Sequence, residues 1–170
     1  MKSLLTEQDI RYLLEQQEKL DLDIREKHDI SKYSWDNEMD SEHEIALRVE
    51  CAEFVNACYK SWKYWKTKPM SREDIIDEAV DVLHFIMLDW NKLDSTDIES
   101  ILERFNDVNV AENQSEVKSM MHIILIAENA LDIFVYLLTV LDFYDFDRKQ
   151  IMEAYDRKNK VNFERLAEGY

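Results

Sequence analysis

Two pairs of acids stand out by their spacing. Glu50 and Glu53 lie in EIALRVECAEFVNACYKSWKYW, and Glu78 and Asp81 lie in REDIIDEAVDVLHFIMLDW. Residues three apart lie about 60° apart around a helix, so each pair presents two carboxylates on one face. In the first stretch Leu47, Cys51, Phe54 and Cys58 form an apolar stripe with Glu50 and Glu53 on its shoulder. In the second, Ile75, Ala79, Val82, Leu83 and Ile86 form the stripe, and Glu78 and Asp81 hold the same shoulder. Two neighbouring helices joined by a short turn would gather all four acids. Carboxylates that close raise each other's pKa and do not all stay ionised without cations. Hard oxygen ligands of this kind suit Mg²⁺ or Mn²⁺. Zinc fits less well, because His28, His43, His84 and His122 are scattered and Cys51 and Cys58 have no finger spacing. Such acid pairs also arise on the solvated faces of acidic helices, and spacing alone leaves that reading open.

Other residue types could serve a nucleotide. Lys60-Ser61-Trp62-Lys63-Tyr64-Trp65-Lys66 interleaves aromatics with lysines, which can stack on a base and attract a phosphate. Trp62 and Trp65 could equally cap a core at a helix end. Tyr155, Lys158, Asn159, Asn162 and Arg165 recur at spacings of three and four, giving one face a phenol, amides and cations. Such a face suits polyphosphate oxygens, although cations near a helix C-terminus also offset its dipole. Gln17 and Asp21 lie four apart, where an amide and a carboxylate could read the edge of a base or simply pair on a surface.

These residues need long helices to position them. The chain has 170 residues with one Gly and one Pro, too few for the tight turns of a β-rich fold. Hydrophobic residues make up 46% and charged residues 34%, a globular composition expected to form a single domain over 1–170. Start signals at Thr6, Ser41, Ser71, Thr96 and Asp147 predict an all-α bundle of about six helices. Their spans are roughly 7–26, 42–66, 72–92, 97–106, 115–143 and 148–166, with loops over 27–40 and 106–114. The 115–143 helix is apolar nearly all round and needs a core or another subunit to cover it. It contains Glu128 and Asp132, which argues against a membrane span. Cys51 and Cys58 read as buried free thiols of a reducing compartment. The opening MKSLLTEQDIRYLL lacks the apolar run of a signal peptide, so a cytoplasmic protein is expected, of a bacterial or phage-infected cell. The formal net charge of −16 repels nucleic acid and anionic membranes, and would repel a triphosphate too unless cations intervene.

Together these features resemble the dimeric, all-α dUTPase family, within the wider all-α NTP pyrophosphatase group that includes MazG-like enzymes. The resemblance covers most of the chain. Gln17-Glu-Lys-Leu20-Asp21 is similar to the family's first-helix Q-x-x-L-N/D motif, and Glu50-Cys-Ala-Glu53 and Glu78-Ala-Val-Asp81 match its E-x-x-E and E-x-x-D metal motifs. Lys63-Tyr64-Trp65-Lys66 resembles a K-x-W-K segment. Tyr155-x-x-Lys158-Asn159-x-x-Asn162-x-x-Arg165 and the final Gly169-Tyr170 resemble the C-terminal signature. The acidic pairs mark only the broad group, while the first-helix and C-terminal motifs point to dUTPase.

The resemblance implies hydrolysis of dUTP, and of dUDP in some readings, to dUMP by a homodimer. It implies two or more Mg²⁺ on Glu50, Glu53, Glu78 and Asp81, with Mn²⁺ a possible substitute and Glu53 handling the attacking water. It further implies Gln17 and Asp21 facing uracil, Trp62 or Trp65 walling the base, and Lys63, Lys158, Asn162 and Arg165 on the phosphates. Three departures mark this chain. Asp21 stands where some members have Asn, Leu166 where Gln often follows the Arg, and the spacing before Gly169 is one residue longer. The competing expectations are a pyrophosphatase for dCTP or a modified nucleotide, and a non-catalytic acidic helical interaction module.

Overall fold

A computed structural model describes residues 4–93, 96–107 and 111–169, the side chains of 106 and 107 excepted. Tyr170, the last residue of the C-terminal motif, lies outside the described residues. Among the described residues eight α-helices follow one another: α1 (Glu7–His28), α2 (Lys32–Asn37), α3 (Asp40–Ala57), α4 (Arg72–Asn91), α5 (Ile98–Asp107), α6 (Gln114–Ile126), α7 (Ala130–Phe143) and α8 (Arg148–Glu168). No strand occurs among the described residues, and every helix but α2 contributes to one hydrophobic core.

Helix α4 is the centre. Ile75, Ala79, Val82, Leu83 and Ile86 are all buried, the stripe that the helical spacing predicts. It packs against four other helices, α3, α1, α8 and α7. The ends of the flanking helices are fixed locally. Thr6 caps α1 and Asp147 caps α8 with reciprocal capping boxes, and Ser71 accepts from the Asp74 amide at the start of α4. Gly169 closes α8 in the left-handed conformation (φ 86°) that glycine adopts without a steric penalty. Arg148 on α8 pairs with buried Asp9 on α1, tying those two helices together at their N-terminal ends.

Four expectations about element ends need correction. Helix α3 stops at Ala57 rather than continuing to 66. Beyond it Tyr59–Ser61 form a 3₁₀ turn, and the Tyr59 hydroxyl donates to the carbonyls of Lys68 and Pro69 (3.0 and 2.6 Å), folding the segment back on itself. The same helix begins at Asp40, so the Ser41 box does not form, and Met39 stands at the cap without a side-chain bond. Helix α5 is capped by Asp97, which accepts from the Ser100 amide, and not by Thr96, whose hydroxyl goes to the Trp90 carbonyl. The single helix over 115–143 is two, broken at Ala127–Asn129. Asn129 accepts from the Asp132 amide and starts α7 afresh, while Arg48 takes the Ala127 carbonyl. The break also accounts for the two acids inside the apolar run: Glu128 is exposed in the turn, and Asp132 pairs with Arg104 at 3.1 Å. The stretch read as a loop over 27–40 carries α2 and buries Trp35.

Cys51 and Cys58 are buried and free, and burial pushes the Cys51 thiol up to about 12. Among the described residues no helix is long and apolar enough to cross a membrane.

Candidate active site

Because α3 packs along α4, the shoulders of the two apolar stripes face each other. Carboxylate oxygens of Glu50, Glu78 and Asp81 lie within 4.8 Å of one another. Glu53 is more exposed, yet its charge reaches both Glu50 and Glu78. Burial, then the charges of Asp81, Glu53 and Glu78, push Glu50 up to about 7. Burial and the same neighbours also raise Glu78. Asp81 is raised by burial and partly restored by Lys158, whose ammonium sits 2.6 Å from it. An isolated surface acid would show no such mutual effect, so these acids form one electrostatic unit. The unit is all-oxygen, partly open and short of positive charge, which are the properties that suit a hard divalent cation.

A cavity of about 450 Å³ opens beside this cluster, between α1, α2, α3, α4 and α8. Glu50 and Asp81 stand on its acidic side, and Gln17, Asp21, Asn162 and Arg165 also line it. Its apolar walls come from Leu20, Ile24, Trp35, Phe85 and Leu88. A mostly apolar pocket with a few converging polar groups is the usual form of a small-molecule site. Lys158 and Arg165 both bear on Asp81, so the cationic face of α8 meets the acids at the mouth of the cavity.

The polar end of the cavity is a chain of hydrogen bonds. The His84 ring, stacked on Tyr155 with centroids 4.3 Å apart, donates from Nδ1 to the Gln17 side-chain oxygen (2.7 Å). The Gln17 amide nitrogen in turn donates to Asp21 Oδ1 (2.7 Å). Burial pushes His84 down to about 3, so the ring stays neutral, and burial pushes Asp21 up to about 7. Four buried polar atoms lack a hydrogen-bond partner among the described residues: Asp21 Oδ2, His43 Nδ1, His84 Nε2 and Asn159 Oδ1. The first three belong to residues that line this cavity. Buried polar groups are seldom left unpaired, and such atoms gathered at one cavity mark where a polar ligand would sit.

Three residues expected at the site are elsewhere. Trp62 donates from its ring nitrogen to the Val55 carbonyl (2.8 Å) and lines a separate apolar trough with Ala52, Val55, Met121 and Leu125. Lys63 is bonded to Asn56, and Trp65 is 61% exposed against the edge of Trp62. The early end of α3 turns this segment away from the cavity. The wall of the cavity is Trp35 instead, tilted against His43 with centroids 4.5 Å apart. The signal was present in the sequence: Ser31 is a helix cap four residues before Trp35, inside a segment too polar overall to read as a helix. His84 was also missed, because it was weighed only as a zinc ligand and not as a neutral hydrogen-bonding group.

Comparison with curated proteins finds no match. A family model described as dUTPase matches residues 9–170, a span that includes α1 from its third residue, all of α2 to α8 and all the residues of the cavity. The chain therefore belongs to the all-α dUTPase family and is a hydrolase of the dUTP diphosphatase kind.

Proposed function

We propose that the chain converts dUTP to dUMP and pyrophosphate with Glu50, Glu53, Glu78 and Asp81 holding two or more Mg²⁺. The observation that carries this reading is the shared acidic unit of α3 and α4 at the mouth of a base-sized cavity. dUTPases generally use a divalent metal, and the donor set here is all carboxylate. Such ions, when bound, lower the pKa of an attacking water and neutralise the charge of departing pyrophosphate. Glu53, the most exposed acid of the four and absent from the tight Glu50–Glu78–Asp81 group, would take the proton of that water. Lys158, Asn162 and Arg165 of α8 hold phosphate oxygens, Arg165 by its planar fork. Gln17 and Asp21 meet the base, and Trp35 covers its face.

A homodimer is part of the proposal. Ile45, Val49 and Ala52 recur along the outer face of α3 and are exposed, as are Leu125 and Ile126 on α6. Together with the trough under Trp62 they make a contiguous apolar surface of the kind that protein partners cover. Lys63, Trp62 and Trp65 adjoin it, and a part for them in substrate binding is proposed only for a site that a second subunit completes. The net charge of −16 argues against nucleic-acid binding, and the two buried free thiols suit a reducing, cytoplasmic setting.

The test is pyrophosphate release from each of the dNTPs, with Mg²⁺ and with chelator. The reading predicts turnover of dUTP that chelator abolishes and that Glu53→Gln lowers by about a hundredfold or more without unfolding the protein. Equal turnover under chelation, or full activity of Glu53→Gln, contradicts it. Preference for dCTP or a modified nucleotide would keep the cage and replace the substrate.

A further inference from the structure

The base end of the cavity carries an inference beyond the general activity, and it rests on the reading of this cavity as a nucleotide site. Asp21 is 1% exposed and lines the cavity, with Oδ1 and Oδ2 in unequal surroundings. Oδ1 accepts from the Gln17 amide nitrogen at 2.7 Å. In this orientation the Gln17 oxygen meets His84 Nδ1 at 2.7 Å, with the ring in its Nδ1–H tautomer. Oδ2 is buried and has no partner among the described residues. Any proton on this carboxyl therefore resides on Oδ2, and Oδ2 is the atom left to meet a ligand.

We propose that Asp21 selects the pyrimidine by its 4-substituent: protonated, Oδ2 donates to a 4-oxo group, and ionised, it accepts from a 4-amino group. Uracil and cytosine differ in this way, an acceptor in one and a donor in the other. Pairing the wrong form leaves two donors or two acceptors facing each other in a dry site, and such sites discriminate strongly.

The surroundings leave the carboxyl close to balance between the two forms. Burial raises its pKa most, to about 7, and Gln17 works against that. On α1 Glu18 raises it and Arg25 lowers it, but the Arg25 guanidinium is bonded to Glu18 at 2.8 Å and to the Asp21 main-chain carbonyl. Lys32 of α2 lowers it from a distance. From α4 the facing titratable groups are neutral His84 and, further along the cavity, Asp81. From α3 they are His43 and Glu50, and from α8 Tyr155 and Arg165. Asn in place of Asp21 would keep Oδ1 on Gln17 and put an amide donor where Oδ2 is, fixing the 4-oxo preference.

The experiment measures kcat/KM for dUTP and for dCTP with Mg²⁺ from about pH 6 to about pH 8, in the wild type and in Asp21→Asn. The ratio of the two constants cancels every pH effect that does not depend on the base, including titration of the acidic cluster. With a midpoint near 7, the protonated fraction falls about tenfold across that range while the ionised fraction rises about tenfold. The wild-type ratio of dUTP to dCTP is expected to fall between about tenfold and about a hundredfold. In Asp21→Asn it is expected to stay flat and in favour of dUTP. A wild-type ratio that does not move with pH overturns the inference whether or not the variant folds, and so does an unchanged pH dependence in Asp21→Asn. Hydrolysis with a flat ratio leaves the pyrophosphatase reading standing. Failure to hydrolyse either nucleotide at any pH removes that reading and this inference together.

Discussion

Glu50 and Asp21 are carboxyls that line one cavity, and folding pushes both up to about 7. Burial leads in each case, but like charges assist it at Glu50, whereas at Asp21 the counter-charge is diverted to Glu18. The consequence for stability has a definite sign. The ordinary values are 4.5 for Glu50 and 3.8 for Asp21, and folding raises both. Between the ordinary and the raised values the folded protein holds protons that the unfolded chain has released. Stability then falls as pH rises through that window. Carboxyls held low in the fold, such as Asp40 beside Lys92, change stability only below the window. His84 and His43, which burial holds below their ordinary 6.5, oppose this trend in the lower part of the window, but the raised Glu50, Asp21, Glu78 and Asp81 outnumber them, so the metal-free protein is expected to melt at a lower temperature at about pH 8 than at about pH 5. Mg²⁺ should restore more of the loss at the higher pH, where the acids no longer need protons to coexist. Thermal melts at the two pH values, with Mg²⁺ and with chelator, check this. A melting point that rises with pH in chelator would contradict it.

At the level of elements, the helices that carry the site were legible and their ends were less so. The stripes Leu47, Cys51, Phe54, Cys58 and Ile75, Ala79, Val82, Leu83, Ile86 are buried as their spacing required, and this sets Glu50, Glu78 and Asp81 together. The end of α3 was not legible, because nothing local distinguishes Tyr59 from a helical residue. The Tyr59 hydroxyl finds its partners at Lys68 and Pro69, nine and ten residues on, which local periodicity does not report. Trp62, Lys63 and Trp65 therefore lie off the cavity of their own chain. The break in the 115–143 span was hidden for the opposite reason. Asn129 is an ordinary cap residue, but the long, mostly apolar runs before Glu128 and after Asp132 masked it. Asn129→Ala removes the side-chain acceptor from the Asp132 amide and is expected to cost about 1 kcal/mol, with a melting point lower by a few degrees. Chemical denaturation measures the loss directly. An unchanged midpoint would mean that packing of α7, not its cap, holds the break.

On the scale of the molecule, a chain of net charge −16 must bring a polyanion to its surface. The cations are not spread evenly: Lys158 and Arg165 face the acids from α8, and Arg148 and Arg157 spend their charge on Asp9 and Asp77. Divalent ions in the acidic unit would supply the remaining attraction, which ties substrate binding to metal binding. The exposed apolar residues of α3 and α6 carry no part of this electrostatic arrangement. Leu125→Glu places a charge in that face and is expected to shift the protein from dimer to monomer with little change in helix content. Sedimentation velocity on the two forms decides it, and a wild-type monomer would reject the dimer outright.

The claim on which the rest depends is that acids from α3 and α4 hold divalent cations as one unit. Calorimetric titration of Mg²⁺ and of Mn²⁺ near pH 7, in buffers of different ionisation enthalpy, measures it most directly. The wild type is predicted to bind with release of protons, because Glu50 near 7 must give up its share, and Glu78→Gln is predicted to lose at least tenfold in affinity. Binding of equal strength in Glu78→Gln, or no heat in the wild type, would contradict the account.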